Sequence, residues 1–87
     1  MNKRETALSA QRMRLLQALR AAGNYGITTI QARHELNILA PAPRIFELRH
    51  HDKYNIHTIW TIEFTPEGYK HRVARYILLP GKYKGVF

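Results

Sequence analysis

Eighty-seven residues make one domain, large enough to bury about 60% of its unfolded surface but too small to enclose a deep substrate cavity. Fourteen Lys and Arg stand against six Asp and Glu, a net charge of +8, which points to a polyanionic partner. No cysteine is present, so disulfides and thiol chemistry are excluded and a cytoplasmic setting is the simplest expectation. The longest apolar run, Tyr76 to Leu79, is far too short to span a membrane.

Met1 to Thr6 is polar and is expected to fray as a flexible N-terminus. Leu8, Leu15, Leu16, Leu19 and Ala22 then recur at helical spacing, with Arg12, Arg14 and Arg20 mainly off that stripe, and Gly23-Asn24 supplies a stop. The first helix is therefore placed over Ala7 to Ala22, and Tyr25-Gly26-Ile27 reads as a short extended link or single-bridge strand. Thr28 or Thr29 caps a second helix, with Thr28 and Gln31 spaced as a capping box and Ile30, Ala32 and Leu36 on its apolar face. Asn37 tolerates the left-handed conformation that ends a helix at about Leu36.

Only Asn37 to Ala40 separate this helix from Pro41-Ala-Pro-Arg-Ile-Phe-Glu-Leu-Arg49. Proline suits a first turn, whose N–H groups have no intrahelical partner, so Pro41 and Pro43 place a helix start at Ala40 or Pro41. Ala42, Ile45 and Leu48 make a narrow apolar stripe, and Arg44, Glu47, His50 and His51 point largely the other way. The tight connection, with Ile38 to anchor the corner, is what a helix-turn-helix requires.

After Arg49 the period changes to two. Ile56, Thr58, Trp60, Ile62 and Phe64 alternate with His57, Ile59, Thr61 and Glu63, a half-buried strand with Trp60 and Phe64 expected to pack in the core. Thr65-Pro66-Glu67-Gly68 is a hairpin turn, and the chain returns from Tyr69 to Leu79 with Ala74, Tyr76 and Leu78 as the inward set. Pro80-Gly81 is expected to end that strand, leaving Lys82 to Phe87 as a basic aromatic tail. The expected fold is α+β: three helices followed by a two-stranded antiparallel β-hairpin, the order of a winged helix, spanning residues 7 to 80.

The residues also carry a family resemblance. Asn37-Ile38-x-x-Pro41-x-x-Arg44-Ile45-x-Glu47-Leu48-Arg49, then Tyr54-x-Ile56 and Val73-Ala74-Arg75-Tyr76-x-Leu78, resembles the small winged helix-turn-helix proteins common in phages and prophages. The resemblance runs from about Leu15 to Leu79 and implies a small DNA-binding domain without a fixed biological role. Three departures stand out. Asn37 occupies a position often held by glycine, Ala40 replaces the usual Ser or Thr cap, and His50-His51-Asp52-Lys53 fills a corner that usually carries a glycine and is shorter.

In a helix-turn-helix the recognition helix enters the major groove through its N-terminal half, so Ala42, Pro43, Arg44 and Glu47 are the first candidates there, with His50 and His51 further along. Arginine reads guanine with two donors, which makes Arg44 the leading base reader. A structural pair with Glu47, three residues on, is the competing role. Arg49 near the helix C-terminus suits a structural or phosphate role. Thr28, Thr29 and Gln31 at the start of the second helix serve either as caps or as phosphate donors. Lys53, Lys70, His71 and Arg72 are the remaining backbone candidates, and Glu67 at the hairpin tip argues against deep insertion.

The five histidines show no ligand spacing, so neither a metal nor any other cofactor is expected. Glycine-rich phosphate loops, nucleophile elbows and His-Glu-x-x-His are all missing, which argues against an enzyme and a small-molecule substrate. The expected partner is double-stranded DNA, for a phage or prophage transcriptional regulator or an excisionase-like architectural factor. Binding as a homodimer or in tandem would raise affinity, and the first helix and the tail are free of groove duties for that purpose. The alternative is a protein-binding winged-helix module, an accessory subunit or an inhibitor of a host system. Double-stranded RNA is disfavoured, because its narrow major groove does not admit a helix.

Overall fold

The computed structural model describes residues 3 to 85, with side chains from residue 7. Helix α1 (Lys3–Ala22) leads through strand β1 (Ile27–Thr28) to helices α2 (Thr29–Glu35) and α3 (Pro41–His50), and strands β2 (Tyr54–Phe64) and β3 (Lys70–Lys82) follow. The sheet is antiparallel with order β1-β3-β2. It therefore has three strands where two were expected. The extended link Ile27–Thr28 joins the hairpin by pairing with Tyr76 and Arg75, and a single turn of 3₁₀ helix over Gly23–Tyr25 delivers it there.

Local signals placed most boundaries. The capping box forms as spaced: the Gln31 N–H donates to Thr28 Oγ1 at 3.1 Å and the Thr28 N–H donates to Gln31 Oε1 at 2.8 Å. Asn37 takes φ 54°, the left-handed stop. Ala40 precedes α3 without a side-chain cap, leaving the two prolines to start it. The onset of α1 at Lys3 lies ahead of the expected Ala7, while its end at Ala22 agrees. Met1, Asn2, Val86 and Phe87 fall outside the described residues, and with them parts of the expected flexible N-terminus and of the expected tail.

Leu15, Leu19, Ile27, Ala32, Ile38, Ile45, Leu48, Ile56, Ala74 and Tyr76 form one core between the three helices and the base of the sheet. In α3 the buried positions are Pro41, Ile45 and Leu48. Ala42, expected on that stripe, faces outward, because spacing by four and then three residues tracks the buried edge of a 3.6-residue helix.

The hairpin departs further from expectation. Trp60 and Phe64 do not pack in the core: they are 56% and 68% exposed. β2 has 11 residues, about 36 Å at an extended rise. Such a ribbon outruns the helices that cover its base. β3 also continues through Pro80 and Gly81 to Lys82, where it pairs with Tyr54. Proline is tolerated because β3 has no neighbour on its other side there, β1 pairing only with Tyr76 and Arg75. Asn55 Nδ2 donates to Pro80 O at 2.8 Å and holds that crossing.

Candidate nucleic-acid interface

Along α3 the outward residues are Ala42, Pro43, Phe46 and His50. Between this face and α1 lies a charged cluster. Arg44 donates from Nε to Glu47 Oε1 at 2.7 Å and from Nη2 to Oε2 at 2.9 Å, while Arg12 Nη1 reaches Oε1 at 3.0 Å. The Arg44 hydrogen bond is the main reason the Glu47 carboxyl is held below its ordinary range; partial burial opposes this and Arg12 adds to it. Arg44 is thus the partner of Glu47 that its spacing allowed. The pair occupies only one edge of the guanidinium and leaves its Nη1 donors over.

Several other candidates are engaged within the fold. Thr28 is buried with its hydroxyl and N–H in the capping box, and Gln31 completes that box. Thr29 is partly exposed and donates to Ala74 O at 3.5 Å. Arg49 donates from Nε to Ile56 O at 2.6 Å and from Nη2 to Thr58 Oγ1, pinning the end of α3 to β2. Its guanidinium also lies 5.4 Å from the Tyr83 ring centre. His51 and Lys53 are exposed at the corner after α3, where Lys53 takes φ 62°.

On the hairpin, Lys70, His71 and Arg72 are all exposed. Arg72 lies over Trp60, 4.5 Å from the ring centre, which restrains a long side chain that would otherwise lose rotamer freedom on binding. A groove of about 640 Å³ runs between α2, the start of α3 and the hairpin, lined in part by Ile30, Arg33, His34, Ala42, Trp60, His71 and Arg72. Among the described residues no acidic side chain lines it.

Sequence reasoning missed Arg33, His34 and Trp60 as lining. The position of Arg33 and His34 off the apolar face of α2 was an available signal; alternation put Trp60 on the correct face, but as a core residue and not as groove lining.

The arginines and lysines divide sharply. Arg14 donates to Leu36 O at 2.9 Å, Arg33 to Leu39 O at 3.2 Å and Arg75 to Tyr25 O at 2.6 Å, besides the pairs of Arg12, Arg44 and Arg49. Lys53, Lys70, Lys82 and Lys84 are exposed, and their ammonium groups have no hydrogen bond or ion pair among the described residues. Arginine mostly ties the fold together; lysine carries charge that the described fold does not use. Among the described residues no group of three His, Asp or Glu is arranged to hold a metal, and no helix is long and apolar enough to cross a membrane.

No curated protein and no solved structure matches the chain. A family model described as a winged helix-turn-helix domain matches residues 10–80. With three helices, a hairpin wing and most of its length matched, the chain belongs to the winged helix-turn-helix domain family, a DNA-binding fold.

Proposed function

We propose that this chain binds double-stranded DNA with the outward face of α3 in the major groove and the hairpin wing on the backbone. The observation that carries the reading is the acid-free basic groove between α2, the start of α3 and the wing, bordered by Ala42 on one side and Arg72 on the other. A phosphate row running through it would meet Arg33, His34, His71 and Arg72, with Lys70 nearby, while α3 lies beside it. Ala42, Pro43 and Phe46 offer apolar contacts of the kind that recognise thymine methyls, and His50 and His51 offer donors. Arg44, steadied by Glu47, is the guanine reader. Thr29 and Lys53 add backbone contacts; Thr28, Gln31 and Arg49 act by holding the helices in place.

A role as transcriptional regulator of phage or prophage type, or as an excisionase-like architectural factor, suits a chain this small with one recognition helix. Acting as a homodimer would supply a second half-site. The test is a fluorescence-anisotropy titration on random-sequence duplex DNA at several salt concentrations, followed by selection from a random library. Salt-dependent binding with an enriched sequence is expected. Lys70→Ala with Arg72→Ala should weaken binding to all sequences alike, flattening the salt slope by roughly one unit per lost contact.

One observation favours a second reading, docking on another protein. β2 is an edge strand. Ile56 O accepts from Arg49, away from β3, while the Thr65 N–H donates across the hairpin to Tyr69 O. By alternation, Thr58, Trp60, Ile62 and Phe64 turn their backbone groups to the open side. An added strand would pair there, beside exposed Trp60, Ile62 and Phe64 side chains. Failure of the wild-type chain to show salt-dependent DNA binding would turn the search to this edge, where slowed amide exchange at Trp60, Ile62 and Phe64 would report a docked strand.

A further inference from the structure

The sequence placed Lys82 to Phe87 in a tail without groove duties. The structure instead binds the start of that segment to the C-terminal end of α3. β3 carries it through Lys82, opposite Tyr54, and the Tyr83 N–H donates to Lys53 O at 2.9 Å. The Tyr83 ring stands edge-on to His50, 5.4 Å between centres, and His50 is tilted against Phe46 at 4.3 Å. Phe46 and His50 belong to the outward face of α3. The tail therefore borders the same face that the wing groove borders at Ala42.

Here too the surroundings are cationic. A groove of about 750 Å³ is lined in part by Arg49, His57, Lys82 and Lys84, with no acidic side chain among the described residues. Asp52, next to Lys53 in sequence, lies instead with Ser9 and Met13 of α1. Exposed Lys53 sits beside the tail through its backbone bond. The ammonium groups of Lys82 and Lys84 are unpaired among the described residues, and the backbone at Lys82 and Tyr83, just ahead of Lys84, is fixed by the Tyr54 and Lys53 pairings.

We infer that Lys82 and Lys84, with Lys53, form a second phosphate-binding site for duplex DNA, at the opposite end of the recognition helix from the wing site. From Ala42 to His50 the helix advances about 12 Å. That is close to the width of the B-DNA major groove, roughly 12 Å. Two cationic sites at the ends of such a helix meet the phosphate rows on both sides of the groove it enters. Anchoring of the tail by aromatic contacts keeps the lysines in register with the helix face.

This inference rests on the DNA-binding reading, and its test separates the two. Anisotropy on a random-sequence duplex at several salt concentrations is measured for the wild-type chain, for Lys82→Ala with Lys84→Ala, for Lys70→Ala with Arg72→Ala, and for all four changes together. The tail variant should lose roughly one to two units of salt slope. The loss should add to that of the wing variant, while Lys82→Arg with Lys84→Arg keeps the wild-type slope. Lys84→Ala alone, at an exposed position beyond the last strand, should give about half the loss without any question of folding. A steep wild-type slope that the tail variants leave unchanged would overturn the second site and spare the function. No salt-dependent binding by the wild-type chain would overturn both.

Discussion

The base and the tip of the β2–β3 ribbon share one sequence pattern and have opposite surroundings. At the base, Ile56, Ala74 and Tyr76 are buried under α1, α2 and α3; toward the tip, Trp60, Ile62 and Phe64 continue the same alternation and stand in solvent. Period-two patterning specifies that a segment is a strand and which residues share a face. It does not specify what covers that face. The cover is set by three helices whose footprint ends near Ala74, where Thr29 meets the strand.

The contrast is broken most directly by truncation at matched positions. Ile56 is fully buried, so Ile56→Ala should cost about 3 kcal/mol in urea unfolding, and Trp60→Ala, on the same face, less than about 1 kcal/mol. Equal losses would show that the wing is covered in solution and would end the distinction. Gly26→Ala tests the seam that joins β1 to the base. Gly26 has φ +68°, and a Cβ there would stand 2.5 Å from Tyr76 O and 2.8 Å from Ile77 Cγ1. A loss of roughly 2 to 3 kcal/mol is expected, and a neutral substitution would mean that the seam opens freely.

Glu47→Gln addresses the link between α1 and α3 over the base. It leaves Arg44, with its side chain only 13% exposed, without its anion, and should cost roughly 2 kcal/mol, between the values for surface and buried pairs. The pH dependence sharpens this. Because the Glu47 carboxyl is held below its ordinary range by Arg44, its contribution is complete above the unfolded carboxyl value of about 4.3. It is lost as pH falls through the lower folded value. Glu47→Gln should remove that part of the acid limb; an unchanged limb would assign the acid sensitivity to other carboxylates. A smaller effect than that of Glu47→Gln belongs to Thr28→Ala, which removes the cap on α2 and should lower stability by about 1 kcal/mol without altering the wing.

What was legible in the sequence follows from how local each signal is. The Thr28–Gln31 box, the Asn37 stop and the Pro41 start act over three or four residues, and each appears in the structure as spaced. The order of helices and hairpin follows from them. Pairing of Ile27–Thr28 with β3 and of Lys82 with Tyr54 depends on segments far apart in the chain, for which short-range patterns carry no information. The candidate interface was legible in part. Lys70, His71 and Arg72 are exposed as expected, but Trp60, Arg33 and His34 join them only through the approach of α2 to the wing. Spacing alone could not separate the two roles of Arg44: the expected outward direction and the pair with Glu47 share one interval, and in the structure the pair draws Arg44 toward α1 and away from the outward face.

The open side of β2 has a consequence for how the chain behaves at different ionic strengths. Two copies carrying +8 each repel one another, and that repulsion protects an edge whose Trp60, Ile62 and Phe64 backbone groups are unsatisfied by any neighbouring strand. Added salt screens the attraction of the lysines for a polyanion, and it screens the repulsion between copies equally. On the proposed function, one variable thus releases the chain from DNA and exposes it to itself, so the useful range of ionic strength is bounded on the high side by colloidal stability as well as by affinity.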